Sequence, residues 1–121
     1  MKSLLIVEDD PSQLKALEHK FTTEGFLVKT ATNGETGLAS ALTHRPDGIL
    51  LDLNMPKMDG IGFLKRIRSD EWGKDAKIIV FTNREDSDAV AECMQYNVFQ
   101  VFIKANESLE GIVEEVQETI R

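Results

Sequence analysis

The chain has very little cysteine: Cys93 stands alone in 121 residues. An internal disulfide is therefore excluded, and so is a thiolate metal cluster. That scarcity fits a reducing compartment, and a cytoplasmic location is expected. Histidine is nearly absent too, with only His19 and His44, both in predicted flanking helices. No apolar run approaches the ~20 residues that a membrane-crossing helix needs. Strand-like sequence already begins at Ser3, so no signal peptide is expected. Positive charge is in deficit as well. The formal net charge is -7 and no basic patch is visible along the chain. Direct nucleic-acid binding and binding to an anionic membrane are therefore not expected. There is no repeat, low-complexity tract or linker. A hydrophobic share of 41% and a charged share of 29% are ordinary for one core-bearing domain spanning 1–121.

What is present is a regular alternation. Leu4 to Val7 is a short apolar run of strand type, followed at once by Glu8, Asp9 and Asp10. Asp10 is a good N-cap and Pro11 a good first helical residue. The first helix then turns Leu14, Leu17 and Phe21 inward and closes at Gly25. Phe26 to Thr30 reads as an edge strand. Asn33-Gly34 reads as a turn, and Leu38, Ala41 and Leu42 mark a second helix that stops before Pro46. The third strand runs from Gly48 to Leu53. A third helix starts near Asp59-Gly60, with Ile61, Leu64 and Ile67 inward and Arg66, Arg68, Asp70 and Glu71 facing water. Trp72, near its end, packs on the body. Lys77 to Thr82 is the fourth strand. The fourth helix runs from about Glu85 to Tyr96, with Val90, Cys93 and Met94 inward and Asn97 as a left-handed cap. Val98 to Ile103 is the fifth strand, ending on Lys104. Ser108 to Ile120 is the last helix, with Leu109, Ile112, Val113, Val116 and Ile120 at helical spacing.

Five apolar strands alternating with five helices predict an α/β fold. Right-handed crossovers leave few topologies. The flavodoxin-like one is a doubly wound parallel sheet of order 2-1-3-4-5, with the ends of strands one and three side by side. Polar residues stand at those ends: Glu8 and Asp9 after strand one, Asp52 after strand three, Thr82 on strand four and Lys104 after strand five. A parallel sheet points all of them the same way, into one shallow cleft. Clustered carboxylates repel unless a cation joins them. Oxygen ligands without histidine or cysteine favour Mg²⁺ over Zn²⁺. Alternatively, Lys104 neutralises Asp52 as an ion pair without a metal. A carboxylate in such a place can attack phosphorus and form an aspartyl phosphate. The cation, the Lys104 ammonium and the Thr82 hydroxyl would then take the phosphoryl oxygens.

These residues resemble a known pattern. Val7-Glu8-Asp9-Asp10, Asp52 with Met55-Pro56 and Met58-Asp59-Gly60, Thr82 after an apolar strand and Lys104 after another cover essentially the whole chain. Together they are similar to the receiver domain of two-component response regulators. The resemblance implies that Asp52 is the phosphoacceptor, charged from the phosphohistidine of a sensor histidine kinase or phosphotransfer protein. It implies Mg²⁺ held by Asp9, by Glu8 mostly through water, by Asp52, and by the backbone carbonyl of Asn54. It also implies that Thr82 and Lys104 touch the phosphoryl group, and that the helix 4, strand 5, helix 5 face changes affinity for a downstream target or output domain. That face, with exposed residues such as Gln100, is where relatives dimerise. Self-phosphorylation and slow hydrolysis would be the only chemistry, with no external product.

Three positions depart from the pattern. Ala105 stands where a proline usually follows the lysine, so the Lys104-Ala105 bond is trans or strained. Val101 stands where an aromatic is usual, and Phe102 should face the other side of the strand, leaving output to backbone and helix movement. Asn83 follows Thr82 where small residues are usual; with Asn54 and Arg84 it bears on phosphoryl lifetime. Two other functions share parts of this pattern. A haloacid-dehalogenase-type phosphatase also uses an aspartyl phosphate but wants a second Asp two residues on, where Asn54 stands. A receiver-like scaffold that is never phosphorylated would not need the acid cluster and Lys104. The chain is either a receiver acting alone or one domain of a longer regulator. His19 and His44 read as solvent-facing, and Cys93 as a small core residue.

Overall fold

In the computed structural model, which describes residues 1–84 and 87–121, five parallel strands form one sheet in the order β2-β1-β3-β4-β5. The strands are β1 Ser3–Val7, β2 Leu27–Ala31, β3 Gly48–Leu51, β4 Ile78–Thr82 and β5 Val101–Ile103. The helices are α1 Pro11–Thr23, α2 Gly34–His44, α3 Gly60–Arg68, α4 Ser87–Gln95 and α5 Leu109–Ile120. Short 3₁₀ turns, Gly73–Asp75 and Lys104–Asn106, precede β4 and follow β5. The expected start of the fourth helix at Glu85 lies outside the described residues.

Successive strand residues point to opposite faces, and the core divides accordingly. Leu5, Val7, Ile49, Leu51, Ile78 and Val80 pack with Ala41, Phe63, Leu64, Ile67, Ala89 and Cys93 from α2, α3 and α4. Leu4, Ile6, Leu50, Ile79 and Phe81 pack with Leu17, Phe21, Ile112, Val113, Val116 and Ile120 from α1 and α5. Both faces of the three central strands are thus covered, which is why those strands lack polar alternation.

The local signals act as their chemistry suggests. Asp10 caps α1 by accepting the N–H groups of Ser12 and Gln13, ahead of Pro11. Gly25 takes φ +96° just past that helix. Asn97 adopts φ +60° after α4, the left-handed conformation expected of it. Trp72 packs against the core, and Cys93 is fully buried.

Several expectations are corrected. Asn33-Gly34 is a helix start: the Asn33 side chain caps α2 by accepting the Thr36 N–H, and Gly34 is its first residue. A Cβ on Gly34 would lie 2.0 Å from the Met58 carbonyl oxygen, to which the Gly34 N–H donates at 3.0 Å. Leu42, Met94 and Leu109 are exposed. Gly37 and Ala89 take inward positions, because α2 and α4 are rotated by about one residue from the reading based on bulk alone, whereas Ile112, Val113, Val116 and Ile120 of α5 are buried as expected. Phe63, which the pattern passed over, is a fully buried α3 residue. β3 stops at Leu51, and Leu53 is buried in the loop beyond. β5 begins only at Val101, since 98–100 run irregularly although Val98 is buried.

Arg68 is the clearest departure. It is half-buried and its guanidinium turns onto backbone carbonyls. Its Nε donates to the Tyr96 carbonyl (2.7 Å), and one terminal nitrogen donates to the carbonyls of Gly73 (2.8 Å) and Ala76 (2.8 Å). Burial lowers its pKa from the ordinary guanidinium value, against the field of Asp75. One side chain therefore ties the ends of α3 and α4 to the segment that feeds β4.

Candidate functional site

The strand register builds the site. Val7 pairs with Ala31 on one side and Leu51 on the other, so Glu8 and Asp52 leave the sheet as neighbours. The Asp52 N–H still donates to the Val7 carbonyl at 3.0 Å, extending that ladder by one bond. Thr82 pairs with Ile103, which brings Lys104 up one residue later.

Two glycines press the following loop into place. A Cβ on Gly60 would meet the Leu53 Cα at 2.6 Å and the Asp52 carbonyl oxygen at 2.6 Å. The start of α3 therefore rests directly on the backbone that carries Asp52. Gly34 performs the same close approach at Met58.

The carboxylates converge. Glu8, Asp9 and Asp52 each place an oxygen within 4.8 Å of the others. Glu8 is 2% exposed and Asp52 7% exposed, while Asp9 lies open to solvent at the rim. Lys104 bridges the two buried acids: its Nζ donates to Glu8 Oε1 and, at 3.0 Å, to Asp52 Oδ2. The ammonium also lies 5.9 Å from the centre of the Phe81 ring. Asp52 Oδ1 accepts a long bond from the Asn54 N–H, 3.4 Å. Glu8 Oε2 accepts the Asp10 N–H at 3.1 Å.

Burial raises the Glu8 carboxyl pKa, and the Lys104 hydrogen bond opposes this without reversing it. For Lys104, burial alone would lower the pKa. The bond to Glu8 and the field of Asp52 outweigh it and hold the ammonium above its usual range.

Thr82 is fully buried on the adjacent strand end. Its hydroxyl oxygen accepts the Arg84 N–H at 3.2 Å and, among the described residues, makes no hydrogen bond to Asp52 or Lys104. Glu8, Asp9, Asp52 and Lys104 are therefore in one cluster, with Thr82 beside it. Asn54 is exposed two residues beyond Asp52. Among the described residues no peptide bond is cis, so Lys104-Ala105 is trans. Val101 packs on the α2–α4 side of the sheet and Phe102 on the α1–α5 side, as their strand positions require. His19 and His44 are exposed and are not part of the Glu8, Asp9 and Asp52 cluster.

The donor set suits a hard divalent cation. Three carboxylates against one ammonium leave two negative charges uncompensated, and every donor is oxygen. Sequence reasoning paired Lys104 with Asp52 alone. It missed the bond to Glu8 and the Phe81 ring, since neither contact has a local signal.

The family model for the response regulator receiver domain matches residues 4–117. The chain belongs to that receiver family. Its fold and role are accordingly those of a receiver domain in two-component signalling. It is similar to a probable transcriptional regulator, ycf27, of Cyanidium caldarium: 43% identical over 83 residues, covering 69% of this chain and 32% of that protein. The receiver thus spans about a third of the length of that curated relative. Among solved structures, the chemotaxis response regulator CheY4 of Vibrio cholerae matches with a TM-score of 0.90 and 28% identity, over 98% of both chains. The receiver domain of the sensor histidine kinase PA1611 from Pseudomonas aeruginosa matches with a TM-score of 0.87 and 25% identity, over 98% of this chain and 97% of that one. That structure has a magnesium ion coordinated in its active-site cleft. Among the described residues, no helix of this receiver is long and apolar enough to cross a membrane.

Proposed function

We propose that Asp52 is the phosphoacceptor of this receiver and that Mg²⁺ supports the transfer. The observation that carries the proposal is the Asp52 carboxylate, held at a strand end by Lys104 with Glu8 and Asp9 alongside. Asp52 Oδ2 is occupied by the ammonium. Oδ1, with only a 3.4 Å bond from Asn54, has the freer lone pair and would attack phosphorus. The new P–O bond replaces the P–N bond of a phosphohistidine. The imidazole leaves with the electron pair and regains a proton from solvent.

Glu8, Asp9, Asp52 and the Asn54 carbonyl would hold the metal, whose chemistry is to offset the charge of the phosphoryl oxygens. Lys104 already stands at Asp52, so its N–H groups can pass from the carboxylates to a phosphoryl oxygen. The Thr82 hydroxyl has its proton left to donate, because in this structure its oxygen acts as acceptor. Its turn toward the cluster would release the Arg84 N–H and couple phosphorylation to the chain after β4.

In this reading residues 1–121 are one receiver domain in the cytoplasm. Its phosphodonor is a sensor histidine kinase or phosphotransfer protein. Its output is a protein target or an attached output domain, without direct nucleic-acid or membrane contact. Self-phosphorylation and autodephosphorylation are its only reactions. The face made by α4, β5 and α5 carries exposed Met94, Phe99 and Gln100, which suits a homodimer or target contact.

The test is incubation with acetyl phosphate and Mg²⁺, followed by intact-mass measurement. The wild type gains one phosphoryl group and Asp52→Asn does not. Beryllofluoride with Mg²⁺ shifts the amide resonances around Thr82. An Asp52→Asn protein that still gains the group would refute the assignment. Multiple turnover of phosphomonoesters would point to the phosphatase class instead, and silence at Thr82 to an unphosphorylated scaffold.

A further inference from the structure

We propose that the outer face of α3, with the loop before it, docks an acidic segment of a partner protein. Lys57, Lys65 and Arg66 surround a hollow of about 430 Å³ whose remaining lining is Met58, Asp59 and Gly62. No basic patch shows along the sequence because Lys57 is separated from the other two by a turn. Only the fold of the loop against α3 gathers them.

Two observations point to a ligand of negative charge, and two describe the shape of the hollow. First, among the described residues the charges of these cations are not spent on carboxylates. Lys20, Lys74, Lys104 and Arg121 are in ion pairs and Arg68 is spent on carbonyls, whereas Lys57, Lys65 and Arg66, like Lys2, Lys15, Lys29, Arg45 and Lys77, meet no carboxylate at ion-pair distance among the described residues; these three are distinguished by gathering at one hollow. The one acid in the hollow, Asp59, uses Oδ1 to accept the Gly62 N–H at 2.8 Å as the cap of α3. Second, the contrast within the molecule is informative. Lys2, Arg45 and Lys77 share another hollow, yet Asp47 and Asp75 line it with them.

Third, Lys57 holds φ +67°, a left-handed conformation that costs a lysine roughly 1 kcal/mol and would cost glycine almost nothing. Fourth, Gly62 lines the hollow, and its missing side chain leaves space beside Met58 and Asp59. A Cβ there would stand 3.2 Å from Met58 Cγ and 3.3 Å from Asp59 Oδ1.

A protein segment is favoured over a nucleic acid. The chain carries a net charge of -7, which repels an extended polyanion but tolerates a few carboxylates placed at one local cationic spot. The apolar Met58 wall suits the methylenes of glutamate side chains. Contact here would lie on the same loop as Asp52 and would set encounter rate and orientation more than affinity.

The experiment titrates the ¹⁵N-labelled full chain with a hexaglutamate peptide at low ionic strength. Amide shifts are expected at Lys57, Met58, Gly62, Lys65 and Arg66, and they should fade near physiological ionic strength, where the Debye length is about 8 Å. Lys57→Glu/Lys65→Glu/Arg66→Glu should weaken binding about tenfold, the order expected on removing several exposed ion pairs. Lys2→Glu/Lys15→Glu/Lys29→Glu, with the same net charge, should keep the local shifts. The milder Lys57→Gly/Lys65→Gln/Arg66→Gln, checked for a native spectrum, should weaken binding as well if charge reversal disturbs the fold. The proposal is overturned by shifts spread over all lysines, by equal loss in the control triple, or by no response. Tighter binding of a short DNA duplex at these same residues would overturn it too.

Discussion

Replacing Arg68 by methionine tests the internal logic of the fold. The guanidinium makes three short bonds, to the carbonyls of Tyr96, Gly73 and Ala76 at 2.7, 2.8 and 2.8 Å, and a longer one to Lys74 at 3.3 Å. Bonds from a charged donor are each worth about 1.5–3 kcal/mol when the acceptor has no substitute. Two corrections reduce the total. Arg68 is only half-buried, so water can reach some of the carbonyls. Burial of the cation also costs free energy, as the lowered pKa shows, and methionine recovers that cost. The net loss should be about 2–4 kcal/mol. With a urea m-value of about 2 kcal/mol/M, the unfolding midpoint falls by about 1–2 M. Arg68→Lys should recover less than half, because a single ammonium cannot reach acceptors on both α4 and the β4-leading segment. Hydrogen exchange should quicken at Tyr96 to Val98 before the rest of the core. A methionine variant within about 0.5 kcal/mol of wild type, the range of ordinary surface changes, would refute the bridging role of this residue.

Gly60→Ala should destabilise by about 2 kcal/mol or more, because the added Cβ meets backbone atoms of Asp52 and Leu53 that have no side-chain freedom to yield. A urea midpoint near wild type would show that the loop gives way. Asp47→Asn should remove part of the acid sensitivity. The Ser3 N–H holds the Asp47 carboxyl below its ordinary pKa, so its stabilising effect is complete above the unfolded-state value and fades as pH falls through the lowered one. The gap between the thermal midpoints of wild type and variant should therefore narrow from pH 6 to about pH 3; a constant gap contradicts this. Cys93 is fully buried, and burial raises its thiol pKa, so it should react with a disulfide reagent only on unfolding. Prompt labelling of the native protein would indicate an opening of α4.

The parts legible along the chain are those with a short-range cause. The Asp10-Pro11 start and the left-handed Asn97 depend on neighbours within a turn and appear where the residues imply, and each apolar run yields its strand, though β3 stops at Leu51 and β5 begins only at Val101. The strand-end acids were legible for the same reason, since a parallel sheet sends every carboxyl end to one side. Helix rotation was not legible. Leu42 and Met94 are bulkier and more apolar than Gly37 and Ala89, which lie inward in α2 and α4, and which residue turns inward depends on the sheet it must fit.

Residue order alone thus specified an alternating α/β chain with acids and a lysine at its strand ends, because strand burial and helix caps are local effects. The assembled fold settled the rest: Lys104 bonded to both Glu8 and Asp52, the Thr82 hydroxyl engaged by Arg84, and Arg68 drawn from solvent onto backbone carbonyls. Lys104 stands 96 residues from Glu8 and 52 from Asp52. Side chains that far apart choose partners by register and packing, and a sequence window contains neither.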